Sequence, residues 1–151
     1  MESIREIYKI GYGPSSSHTM GPRKAAEIFI KRNPGIKNAR VTLYGSLAAT
    51  GKGHMTDRAI HDAMGSVATE IVWQADQFLP AHPNGMKFEA LDKAGVAREE
   101  WITYSIGGGD ISDTGKRDPA ATIYKMTTMS EILSWCEQNG RAVWGFVGMH
   151  E

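Results

Sequence analysis

Apolar side chains recur at Ala25, Ala26, Ile28 and Phe29, the spacing of one helix face. Pro22 sits where a helix tolerates its missing N–H, and Asn33-Pro34-Gly35 stops the run. Residues 39–44 alternate polar and apolar and predict a strand, and 69–74 predict a second. Thr56 is placed to cap a helix running to about Met64, with Ala59, Ile60, Ala63 and Met64 turned inward. Met86–Leu91 and Glu100–Ile106 predict a hairpin around a loop at Asp92–Gly95, and Gly107-Gly108-Gly109 ends its second strand. Thr128-Met129-Ser130-Glu131 has capping-box spacing, Ile132, Leu133, Trp135 and Cys136 carry the helix behind it, and Asn139-Gly140 closes it. Between these elements, residues 2–9 read as a short helix or extended lead-in, 12–21 as a loop, 45–53 as a glycine-punctuated loop with room for one helical turn, and 82–85 as a turn.

The expected class is α+β: a two-layer sandwich with a mixed or mainly antiparallel sheet and helices on one face. No repeat or low-complexity linker interrupts the chain, so residues 1–151 are read as one domain. The last eleven residues, RAVWGFVGMHE, are apolar and stop without cap or polar tail, which suggests a trimmed chain or a missing partner.

The formal charge is zero and no basic run occurs, so the electrostatic footprint of a nucleic-acid binder is missing. No stretch approaches the ~20 apolar residues of a membrane span, and the N-terminus lacks a signal-peptide core. A cytoplasmic protein is expected. The lone Cys136 forms no internal disulfide and holds no cluster, and the five histidines lack compact metal-ligand spacing. No metal site is expected in this chain.

Four segments have the residue types for chemistry. In Gly13-Pro14-Ser15-Ser16-Ser17-His18-Thr19-Met20-Gly21-Pro22, hydroxyls and an imidazole precede a helix N-terminus, which suits an anion as well as it suits a simple capped loop. Tyr44 to Asp57 resembles a P-loop but fails it twice: five residues separate Gly45 from Gly51, and Gly53 stands where Ser or Thr would meet magnesium. Glycines on both sides of Lys52 let backbone approach a ligand, and His54 follows on an exposed loop. His61 reads as a structural or surface residue, because two helical turns (about 11 Å) part it from His54. Tyr104-Ser105-Ile106-Gly107-Gly108-Gly109 can wrap a small ligand or simply turn the chain, and His82-Pro83-Asn84-Gly85 needs no function. The four tryptophans read as core or interface residues.

GPSSSHTMGP, YGSLAATGKGHMTD, HPNGM and YSIGGG occur in the order found in bacterial iron–sulfur L-serine dehydratases, and the chain resembles their beta domain from about residue 3 to residue 147. The resemblance implies an α+β fold like the allosteric substrate-binding domain of some phosphoglycerate dehydrogenases. It implies a lyase of serine catabolism that deaminates L-serine to pyruvate and ammonia, feeding gluconeogenesis. A separate alpha domain would hold a [4Fe–4S] cluster through three cysteines, with none bound by this chain. By the same resemblance, Ser15, Ser16, Ser17 and Thr19 bind substrate with Lys52, Gly53, Gly107 and Gly108, while His54 and His18 are catalytic. The alpha domain and L-serine are the implied partners, and a homodimer is expected. The chain departs from the family in three respects: Cys136 matches no cluster cysteine, no ACT-type segment follows, and the stretch from Met64 to His82 is short.

Two other readings compete with an enzyme part that is inactive by itself. One is a free-standing module sensing serine or another small carboxylate. The other is a purely structural subunit.

Overall fold

Alternation along the first strand decides the architecture. In β1 (Asn38–Tyr44), Ala39, Val41 and Leu43 are fully buried, while Arg40 on the opposite face pairs with Glu70 at 2.8 Å. The computed structural model describes residues 2–119 and 122–151, apart from the side chain of Ile7. β1 pairs in parallel with β2 (Ala68–Gln74) and antiparallel with β3 (Gly85–Leu91), which continues into β4 (Ala97–Gly107) and β5 (Asp110–Ser112). The sheet order is β2-β1-β3-β4-β5.

The register lines up Val41 with Phe88 and Leu43 with Met86, so one sheet face is continuous hydrocarbon. α1 (Gly21–Arg32), α2 (Gly45–Thr50) and α3 (Thr56–Met64) cover it with Ala25, Ala26, Phe29, Leu47, Ile60 and Met64. Phe29 meets Phe88 at 5.2 Å between ring centroids. The other face has an ionic ladder in which Lys87 reaches Glu89 at 2.9 Å and Glu100 at 3.5 Å. Hydrocarbon on one side and charge on the other is what a two-layer sandwich requires. The expected class, a mixed sheet with helices on one face, is the observed one.

Several local readings change. Asp110–Ser112 adds a short strand beyond the three glycines, while the helical turn allowed for within 45–53 is the six-residue helix Gly45–Thr50. Thr56 does not cap α3. It is the first helical residue, wholly buried, and Met55 precedes it in the left-handed conformation (φ 56°). The segment expected as a loop before α1 is a wide helical turn, Ser16–Met20, running straight into the helix.

Where the sequence is read as one domain, the structure gathers into two compact units. Residues 11–117 form the sandwich. Residues 2–10 and 118–151 form a helical unit, with Ala120 and Ala121 outside the described residues. In the helical unit, α4 (Met129–Gln138) opens on the expected capping box of Thr128 and Glu131, and α5 (Val143–His150) packs against it. Each unit closes its own core; the helical one is built on Tyr124, Ile132, Cys136 and Phe146. The final residue of the apolar stretch is held by polar groups. The Glu151 carboxylate accepts from Ser3 Oγ at 2.5 Å, the Ile4 N–H at 2.9 Å and the Tyr124 hydroxyl, and this last bond pushes the phenol up to about 12.

Candidate functional site

The N-terminal turn and the turn between α2 and α3 meet over two histidines. The rings of His18 and His54 lie 4.9 Å apart, tilted by 40°. Hydroxyls fix both turns. The Thr19 hydroxyl donates to the His54 carbonyl at 2.7 Å, and the Thr56 hydroxyl donates to the His18 carbonyl at 2.5 Å. From β4, Ser105 donates to the Ser17 carbonyl at 2.6 Å. Carbonyls that would otherwise be orphaned in an irregular turn are satisfied from elements far away in sequence.

Each imidazole is oriented. His54 Nδ1 lies 2.9 Å from the Thr50 carbonyl oxygen. A carbonyl only accepts, so Nδ1 has the hydrogen and neutral His54 presents its lone pair at Nε2. His18 is held at both nitrogens, with Nδ1 2.9 Å from Ser17 Oγ and Nε2 3.2 Å from Ser46 Oγ. Burial holds the His18 pKa below its ordinary 6.5, and the neighbouring His54 lowers it further, against the opposing effect of the Ser46 contact.

The His18 shift has a measurable consequence. The unfolded chain binds a proton near pH 6.5 more readily than the folded chain does, so stability rises with pH through that window. As pH falls through the ordinary value of 6.5, the protein should lose stability, and the loss should level off below the folded pKa. His18→Asn should remove that part of the slope, as read by urea denaturation at a series of pH values. An unchanged slope would refute the assignment.

The sequence-predicted residues fall at different distances from this pair. Ser15 Oγ accepts from the His18 N–H at 3.1 Å, and Ser15 N–H donates to Thr19 Oγ1 at 3.2 Å. Ser16 is exposed, and its carbonyl accepts the Gly21 N–H. The helix start expected at Pro22 is therefore already consumed by the preceding turn, and any anion site moves toward Ser16 and Ser17. Lys52 lies over the Trp73 ring at 5.6 Å and Gly53 is exposed beside His54. Gly107 (φ 91°) and Gly108 (φ 63°) make the turn from β4 to β5, a conformation that glycine alone adopts cheaply, two residues beyond Ser105. Ser46, Thr56 and Ser105 are organisers that the sequence reading missed. Each lies in or beside a quoted motif, but only its partner across the fold shows its role. A cleft of about 420 Å³ is lined by Tyr12, Thr19, Arg23, Met55, Arg58 and Asp62, reaching the chain neighbours of the two histidines but neither imidazole. Among the described residues no three His, Cys, Asp or Glu groups gather as a metal site, and Cys136 is buried in the helical unit, so these residues do not fit an iron–sulfur cluster.

A two-layer α+β domain presenting paired histidines on hydroxyl-pinned turns is the kind of protein these features define. The family model of the serine dehydratase beta chain matches residues 3–66 and 61–116, and the chain belongs to that family. It is 31% identical over 186 residues to the L-serine dehydratase of Haemophilus influenzae, across 93% of this chain and 41% of that protein. It is 32% identical over 200 residues to L-serine dehydratase TdcG of Escherichia coli, across 99% and 43%. L-serine dehydratase 2 of E. coli is 32% identical over 198 residues, across 100% and 43%. The chain thus spans about two fifths of the length of these relatives. The alignments are longer than its 151 residues and the family match breaks at 61–66, in keeping with a shortened middle segment. No helix among the described residues is long and apolar enough to cross a membrane.

Proposed function

We propose that this chain is the substrate-handling part of an enzyme that deaminates L-serine to pyruvate and ammonia. The observation carrying the reading is the oriented histidine pair, set in the segments that resemble the serine dehydratases. His54 Nε2 takes the Cα proton of serine and returns it to the departing hydroxyl, which leaves as water, and His18 stands beside it as the second catalytic imidazole. Ser15, Ser16, Ser17 and Thr19 frame the substrate carboxylate and amine, and Lys52, Gly53, Gly107 and Gly108 complete the substrate-binding surface. Loss of water from serine and hydrolysis of the resulting imine give pyruvate and ammonia, so atoms balance. The [4Fe–4S] cluster implied by the resemblance belongs to an alpha partner, because the residues described here do not fit one. A cytoplasmic location and a homodimeric assembly go with this reading.

The chain by itself should form no pyruvate from L-serine, and adding the cluster-bearing alpha part under anaerobic conditions should start turnover. Absence of turnover in a complex that demonstrably forms would sink the proposal. The cleft at Arg58 and Asp62 favours a second reading, a module sensing a small zwitterion. It predicts heat of L-serine binding to the isolated chain in calorimetry, independent of any partner.

A further inference from the structure

The helical unit has an apolar surface that its own core does not use. α5 reads Val-Trp-Gly-Phe-Val-Gly-Met-His, with no carboxylate or basic side chain other than the final imidazole. Phe146 is buried, yet Trp144 is 82% exposed and Met149 57%. On α4, Met129 (60%) and Leu133 (48%) lie one turn apart, beside the buried Ile132 and Cys136. A helix that is apolar all round belongs in an interior, and large apolar side chains left exposed on it and on its packing partner are what an interaction surface uses. Tryptophan gains most of all by such burial.

The beta-chain family match ends at residue 116, so the larger part of this unit, residues 118–151, lies beyond it, yet the E. coli relatives align with 99% and 100% of the chain. Residues beyond 116 are therefore aligned with the whole enzymes although the beta-chain family match does not reach them. Those relatives hold well over half of their length beyond what this chain matches.

We infer that the outer surfaces of α4 and α5, at Met129, Leu133, Trp144 and Met149, dock the remaining, cluster-bearing part of the serine dehydratase. The inference rests on the proposed function for the existence of that partner and adds where it binds. The sandwich presents the histidines, while the helical unit supplies the adhesive contact.

Photo-crosslinking tests this in the assembled enzyme, with p-benzoylphenylalanine in place of Trp144 and the joined peptides identified by mass spectrometry. Peptides of the cluster-bearing part are expected. Peptides from a second copy of this chain, peptides from residues 11–117 of this chain, or no crosslink at all would each overturn the inference. In parallel, Trp144→Glu should weaken capture of the separately produced cluster-bearing part by tenfold or more, while thermal unfolding of the isolated chain stays unchanged. Capture as tight as the parent's would also overturn it. A crosslinked complex that never turns over serine leaves the docking surface standing and removes the proposed function.

Discussion

In the assembled enzyme, His54→Ala should lower kcat for serine by about 10²- to 10⁴-fold, the usual contribution of a positioned general base. That corresponds to roughly 3–5 kcal/mol of transition-state stabilisation. The expectation follows from a single hydrogen bond. Because the Thr50 carbonyl takes the Nδ1 proton, the Nε2 lone pair is the group left to accept one from substrate. Alanine deletes the acceptor while leaving the Thr19 bond to the residue 54 carbonyl in place, since that bond is to backbone. The turn should hold its shape, KM should move little, and the loss should fall on kcat. A second readout separates this from general damage. With the neighbouring charge gone, His18 should titrate closer to its ordinary value, though burial, the larger cause, still holds it down. An NMR titration of the isolated variant checks that without any partner. Unchanged turnover in the complex would remove His54 from the chemistry.

The parts of this architecture visible in the sequence are those whose cause is local. β1 follows from its alternation of polar and apolar residues, β3 and β4 from two strand-like runs flanking a short loop, and the α4 capping box is a two-residue signal that the fold reproduces in both directions. Ser16–Met20 was not visible, because serine and histidine are indifferent helix formers and read as loop. What winds that turn are bonds from Thr56 and Ser105, 38 and 88 residues away along the chain from the carbonyls they hold. The same applies to the site. The motifs named His18 and His54 separately, but their meeting at 4.9 Å depends on two turns being pinned from other elements. β5 escaped because three residues, Asp-Ile-Ser, carry too little pattern to be seen behind a glycine run. The second unit escaped because no compositional break marks its start, and its separate core becomes evident only when Tyr124 meets Phe146.

Gly51→Ala should cost about 3 kcal/mol or more of the sandwich unit's stability, lowering its unfolding temperature on the order of 10 °C, and should abolish turnover in the complex. Read from sequence, the glycines around Lys52 leave space for a ligand. The structure divides their roles. Gly51 has ordinary helical angles (φ −60°), so its conformation does not require glycine. Its surroundings do. A Cβ there would sit 2.2 Å from the Leu47 carbonyl oxygen, 2.8 Å from the Trp73 ring and 3.0 Å from Thr56 Oγ1. The first is helix backbone and cannot swing aside, and the last holds the His18 carbonyl. Relief of the clash must therefore displace α2, the start of α3, or both, and His54 is tethered between them through Thr50 and the Gly51 carbonyl. At Gly53 the nearest atom to an added Cβ is the Thr50 carbonyl oxygen at 3.5 Å, an ordinary contact. Gly53→Ala should accordingly unfold within a few degrees of the parent, and any loss of turnover it causes would report on the ligand side of the turn. Denaturation of the two variants side by side distinguishes the roles: equal stability would mean that Gly51 is not the packed hinge on which His54 is mounted.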